Sequence, residues 1–185
     1  RPSVPQDMPC QSFAAVIMEP GLAMMMISDS TYGFRCESEA GGGVCLRLNC
    51  LRSSSDPDPY PEFGRHRFRI GVGFASDDKV ALLNQAHAFC HPLTAVSDLP
   101  RKGTLPPQTE GIAVTGAFLQ AVKLSEDTGQ LLVRLSCPDA GQAAVTLWDE
   151  PKAAYLVDVH EQAVESEIQP ECKGRTISLP VRGGS

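Results

Sequence analysis

The sequence predicts an all-β protein: an antiparallel β-sandwich carrying one helix, followed by a small Ig-like β-sandwich. Three observations predict it. Apolar side chains recur at every second position in the first half, as on a half-buried strand. Short strand-like runs recur at regular intervals near the end, parted by turn-forming clusters. Only one stretch has helical spacing. The 185 residues are enough to bury a core. Net charge is −6 with no basic stripe, which argues against a nucleic-acid partner. The longest apolar run, "GLAMMMI", is strand-sized, far below the roughly 18–20 residues of a membrane span.

Each element follows in order. "QSFAAVIM" and "GLAMMMISD" read as the first two strands. "VCLRLNCL" sets Val44, Leu46, Leu48 and Cys50 on one face, with Cys45, Arg47, Asn49 and Leu51 on the other. The preceding "AGGGV" is a hairpin turn between two strand patterns. "RFRIGVGF" alternates most cleanly. Phe68, Ile70, Val72 and Phe74 form its apolar face, and Gly71 and Gly73 leave a bare face on which another backbone can lie close. Ser76 or Asp77 can cap a helix in "DDKVALLNQAHAFC", where Val80, Leu83 and His87 share a face and Pro92 ends the run. Residues 1–100 form the first sandwich region. Residues 101–111, rich in Pro and Gly, form a linker. In residues 112–185, "FLQAVKL", "LLVRLS", "AAVTLW", "AAYLVDV" and "RTISLPV" are the strands, and "SEDTG", "CPDAG" and "WDEPK" the turns.

No compact catalytic set emerges. The seven cysteines contain no CxxC pair, so neither a zinc finger nor a thioredoxin-like site is expected, and they read as small buried hydrophobes in a reducing compartment. The odd cysteine count and the absence of a secretory pattern in "RPSVPQD" point to the cytoplasm, and that opening reads as the edge of a longer chain. His87 and His91 are spaced i, i+4, but Pro92 adjoins and no acidic third ligand falls in register, so the pair reads as helix-end histidines without a metal. Asp56, Asp58 and Glu62 in "DPDPYPE" lack the glycine turn of an EF-hand, and the segment reads as a solvated corner stiffened by proline.

In its wider context the first half resembles the C-terminal β-sandwich of family 38 glycoside hydrolases, the class II α-mannosidases. The likeness rests on motifs in order. "ISDSTYG", with Asp29, Tyr32 and Gly33, matches a strand end followed by Tyr-Gly. A strand ending Leu-Arg-Ser then leads into a Pro-Asp-Pro corner, and Gly64, His66 and Phe68 match a Gly-x-His-x-Phe strand. "VALLNQAHAFCHPL" looks like the family's helix ending Asn-Pro-Leu, with His91 in place of the Asn. Ser28 stands where the family often has Asn, and Gly73-Phe74 where many members have Pro-His. The likeness covers the chain, the end resembling the family's terminal sandwich module.

The resemblance implies a piece of a large supersandwich belonging to an enzyme that hydrolyses α-mannosides with retention. The family's nucleophile, acid–base residue and zinc ligands lie on an N-terminal domain absent from this chain. The resemblance therefore implies no catalytic residue, metal site or cofactor here, and zinc in the parent's catalytic domain. That domain is the expected partner, with mannose-containing glycan reached through the parent. The loop at "SDSTYGF" is the candidate cleft wall: Tyr32 offers a ring face and a hydroxyl, Asp29 accepts hydrogen bonds or braces the loop, and Arg52 pairs with Asp29 or reaches outward. An Asx turn, core packing and a structural ion pair are the competing roles for the three. Two other readings are a free-standing carbohydrate-binding sandwich, for which one Trp and three Tyr are a sparse supply, and a structural module that forms homo-oligomers.

Overall fold

The computed structural model describes residues 7–51, 56, 59, 62–97, 102–104, 106 and 108–184. It is mostly β, with several antiparallel sheets and one helix. The chain divides into two compact units, Arg1–Ala95 and Val96–Ser185. No helix among the described residues is long and apolar enough to cross a membrane.

The first unit contains β1 (Met8–Pro9), β2 (Phe13–Glu19), β3 (Leu22–Ser28), β4 (Gly33–Ser38), β5 (Val44–Leu48), β6 (Ile70–Ala75) and the helix α1 (Lys79–Cys90). Two sheets form, in the orders β1-β4-β5 and β2-β3-β6. The turn between β4 and β5 closes through Glu39 N–H donating to the Gly43 carbonyl at 2.7 Å. The register of the second sheet aligns Phe13 with Ile27 and Gly71, and Ala15 with Met25 and Gly73. One face therefore carries Phe13, Ala15, Ala23, Met25, Ile27 and Ala75, and α1 covers it with Leu82 and Ala86. Met25 and Ala23 are fully buried. Burying a side chain such as Met25 stabilises by about 1.5–3 kcal/mol.

This packing reverses one expectation. The alternation in β6 is as read, but the bare glycine face is the packed one, and it meets a ring rather than another backbone. A Cβ on Gly71 would stand 2.9 Å from the Phe89 ring, whereas one on Gly73 would meet nothing nearer than the Gln85 amide at 3.9 Å. Val72 and Phe74 instead point outward, 69% and 65% exposed, beside half-buried Met24 and Met26. A helix seats best on a smooth surface, and the glycines supply it.

The helix start also differs by one residue. Asp78 is the N-cap, its carboxylate accepting from Ala81 N–H at 2.7 Å. Ser76 Oγ accepts from Asp78 N–H, and Asp77 accepts from Gly21 N–H in the β2–β3 turn at 3.0 Å. Both residues named from sequence support the cap without being it. The buried helix positions are Leu82 and Ala86. Val80 and Leu83 are half-buried and His87 exposed.

The second unit contains β7 (Ile112–Thr115), β8 (Phe118–Leu124), β9 (Leu131–Ser136), β10 (Gly141–Leu147), β11 (Glu171–Lys173) and β12 (Thr176–Val181). Its sheets are β11-β12-β10-β7 and the hairpin β8-β9. Ala117, Cys137 and Ala143 form its buried cluster, with Val114, Leu135 and Val181 packed around them. Gly116 has φ +72°, and a Cβ there would fall 2.0 Å from the Gln142 carbonyl oxygen, so the chain crosses β10 only as glycine. "AAYLVDV" is not a strand: among the described residues it makes a single bridge, Val157 to Ala163. Its exposed Tyr155 and Val159 do not give one apolar face to a neighbouring strand.

The cysteines depart from expectation too. All seven are unpaired, but only Cys137 is buried, and Cys36, Cys50 and Cys172 are exposed. Cys50 lies just beyond β5, where alternation no longer dictates burial. The Pro-Asp-Pro corner and the linker fall partly outside the described residues.

Gly71→Ala is expected to lower stability by about 1–3 kcal/mol through overpacking against Phe89. Gly73→Ala, with room for its methyl, is expected to be neutral or to stabilise by up to about 1 kcal/mol. Urea midpoints of the two variants measure the difference, and equal midpoints would contradict this account of the interface.

Candidate functional site

The loop 28–33 leaves the buried end of β3 and enters β4. Ser28 is 2% exposed; its N–H donates to the Ser12 carbonyl at 2.7 Å and its Oγ accepts from Ser30 N–H at 3.4 Å. Its own carbonyl accepts from the Cys90 thiol at 3.6 Å, which ties the loop to the end of α1. Cys10 N–H donates to the Tyr32 carbonyl at 2.9 Å, so the loop backbone is held at both ends.

Arg69 organises this corner. Its Nε lies 3.1 Å from Asp29 Oδ2, and Asp29 N–H donates to the Arg69 carbonyl at 3.4 Å. Its Nη2 donates to the Phe89 carbonyl at 2.7 Å and to Cys90 at 3.4 Å, while the guanidinium sits 5.0 Å from the centre of the Phe89 ring. The last carbonyls of a helix have no partner within it, and its C-terminal end is partially negative, so a cation is favoured there. One planar fork thus joins the loop, the start of β6 and the end of α1.

Asp29 accordingly braces the loop, with Arg69 as its partner among the described residues. Arg52, the partner considered from sequence, lies outside the described residues. Tyr32 is 77% exposed, so its ring is not core packing and it faces solvent. Thr31 beside it is 3% exposed, and its hydroxyl has no partner among the described residues. Arg69 is the residue of this corner that sequence reasoning missed. Its available signal was a basic residue just before a strand, ahead of a helix whose last turn has His87 as its basic residue.

Chemically, the corner combines an exposed phenol with the Asp29–Arg69 ion pair. Among the described residues, no group of three His, Cys, Asp or Glu converges to hold a metal. His87 and His91 stack at the end of α1 with ring centres 4.1 Å apart, and partial burial together with the neighbouring His91 holds the His87 imidazole below its ordinary pKa.

The second unit has its own concavity, a cleft of about 570 Å³. Leu135, Val145 and Leu179 line it together with Trp148 and Tyr155, which are 57% and 48% exposed. The Tyr155 hydroxyl donates to Gln130 Oε1. Nearby, Lys123 pairs with Glu161, whose carboxyl it holds below the ordinary range with help from Ser125. No protein-family model and no curated protein sequence matches the chain.

Arg69→Ala is expected to cost about 1–2 kcal/mol, because it strands helix-end carbonyls as well as Asp29. Asp29→Asn is expected to cost less than about 1 kcal/mol, since the pair is partly exposed. Denaturant unfolding of both variants tests the order. A second expectation concerns pH. The folded pKa of His87 is below its unfolded value, so the unfolded state binds the proton first. The stability owed to neutral His87 is complete above about pH 6.5 and is lost as pH falls through the folded pKa. Stability curves of His87→Gln are expected to be flatter than wild type on that acid side.

Proposed function

We propose that the chain is the C-terminal, non-catalytic β region of an α-mannosidase-like glycoside hydrolase of family 38. The parent hydrolyses α-mannosides with retention, with its zinc and catalytic carboxylates on the N-terminal domain. This region supports that domain and presents Tyr32 toward the substrate cleft. The observation that carries the reading is the ordered motif series, three members of which meet at one corner. "SDSTYG", the start of β6 after "GRHRF", and the helix end "AFCHPL" are all joined by Arg69 and Ser28. Motifs far apart in sequence that build one corner support a shared architectural origin better than any of them alone.

The exposed apolar face of β6 supports the same reading. Val72 and Phe74 stand beside Ile70, which is 45% exposed, and soluble monomers rarely leave such side chains contiguous. Further protein belonging to the parent is the natural cover. A second reading, a free-standing saccharide-binding module, is favoured only by Trp148 and Tyr155 on one cleft. Exposed aromatic rings can stack on the apolar face of a sugar.

One pair of measurements separates them. The purified chain is expected neither to hydrolyse an aryl α-mannoside nor to give saturable heat with mannose oligosaccharides. Hydrolysis that scales with protein concentration and survives controls for contaminants would defeat the first reading. Saturable binding abolished by Trp148→Ala would establish the second.

A further inference from the structure

We propose that β6 is the seat of a homodimer, in which the same strand of a second copy of this chain lies antiparallel beside it across a two-fold axis and the two sheets become one. The proposal goes beyond the mannosidase reading and does not rest on it. β6 stands at the edge of the β2-β3-β6 sheet, and β3 is its one strand neighbour among the described residues. Asp29 N–H donates to the Arg69 carbonyl, which fixes the phase of the β3–β6 ladder. Hydrogen-bonded and non-hydrogen-bonded pairs alternate along such a ladder. Gly71, Gly73 and Ala75 therefore spend their backbone groups on β3, and Ile70, Val72 and Phe74 turn theirs toward the open edge. Those same three residues have exposed side chains. The opposite edge, β2, carries a register shift between Ile17 and Glu19, a device that blunts an edge. β6 has no proline, no lysine and no register shift. An open, regular, apolar edge is a template for another strand.

Charge and symmetry name the occupant. A two-fold contact sets one patch against a copy of itself, so the patch must be self-complementary. A register centred on Val72 brings every outward-facing backbone group of β6 into a hydrogen-bonded pair. Val72 then lies opposite the partner's Val72, and Ile70 opposite the partner's Phe74, an aromatic–β-branched pair of the kind that stabilises sheets. Carried outward, the same register sets Arg67 opposite the partner's Asp77, and symmetry repeats that pair. Arg69 is committed to Asp29, and Asp78 caps α1, which leaves Arg67 and Asp77 for the partner. Arg67 is exposed. Asp77 accepts from Gly21 N–H through Oδ2, and a carboxylate has acceptor capacity for a further donor. Parallel pairing would instead set Arg67 beside Arg67 and Asp77 beside Asp77. A copy reversed about Val72 matches the apolar residues and both charged ends at once.

Sedimentation equilibrium of the full chain over a wide range of concentration tests the proposal. A reductant keeps the exposed thiols of Cys36, Cys50 and Cys172 from linking chains. A reversible monomer–dimer equilibrium is expected. Val72→Lys, at a position 69% exposed, should give a folded monomer, because it sets two ammonium groups against each other on the axis. Arg67→Glu should raise the dimer dissociation constant at least about tenfold, and adding Asp77→Arg should restore it, since the exchange re-forms both ion pairs. Thermal melts establish that each variant is folded. Hydrogen exchange at the Ile70 and Phe74 amides is expected to be slow in the dimer and fast in the Val72→Lys monomer. A chain that stays monomeric overturns the proposal, and so does a dimer indifferent to Val72→Lys. A monomer whose Ile70 and Phe74 amides are nonetheless slow also overturns it, and assigns the edge to another segment of this chain. None of these outcomes touches the mannosidase reading, which stands or falls on hydrolysis.

Discussion

The first unit depends on the contact between α1 and the small-residue face of the β2-β3-β6 sheet. Ala15, Ala23, Gly71, Gly73 and Ala75 make that face shallow, and Met25 and Ile27 fill what remains beneath Leu82 and Ala86. The Phe89 ring lies where a Gly71 side chain would be. Because packing density in a core tolerates neither voids nor extra methyl groups, this contact fixes the register of the strands under the helix. It also decides what the other face must show. In a strand, every residue turned away from the helix is turned outward, which is why Val72 and Phe74 are exposed despite their apolar character.

The same contact sets the corner at the end of the helix. Phe89 can occupy its place only if the last turn of α1 ends near the start of β6, and Arg69 is the residue immediately before that strand. Its guanidinium then lies within reach of the helix carbonyls, the Phe89 ring and Asp29 together. The loop 28–33 is held on this side by Arg69 and on the other by Cys10, and the Tyr32 side chain projects from it. Its exposure follows from a rigid support beneath it and not from a loose loop.

The all-β class was legible because it rests on alternation, which survives in the sequence wherever one sheet face is covered. Which face is covered was less legible. Met24, Met25 and Met26 are consecutive and equally apolar, so β3 gives no indication of its buried side, and only Met25 is fully buried. In β6, hydrophobicity pointed to Phe74 and Val72, while the helix required the glycines. Helix capping was readable to within one residue, since Ser76, Asp77 and Asp78 all accept backbone N–H groups and differ only in which one. The Asp29–Arg69 pair was not readable, because it joins residues forty positions apart through a helix end whose place no local pattern gives. "AAYLVDV" misled for the opposite reason: its composition is that of a strand, but a strand also needs a neighbour along its length, and there Val157 alone finds one.

The aromatic residues of the two units differ in a way that bears on sugar recognition. Tyr32 has a fixed backbone and a side chain 77% exposed, so its ring and hydroxyl can both meet a ligand. Tyr155 donates its hydroxyl proton to Gln130, which leaves the phenol oxygen only as an acceptor. Trp148 shares its cleft with aliphatic Leu135, Val145 and Leu179 and with polar Thr128, Asp149, Glu150 and Lys152. A saccharide needs an apolar face and hydrogen-bonding groups at its edge together, and a buried hydroxyl left without a partner costs about 1–3 kcal/mol. On those terms the cleft of the second unit carries both kinds of group. On the loop 28–33 the Thr31 hydroxyl is buried, so the exposed Tyr32 phenol and not Thr31 is what a ligand can reach.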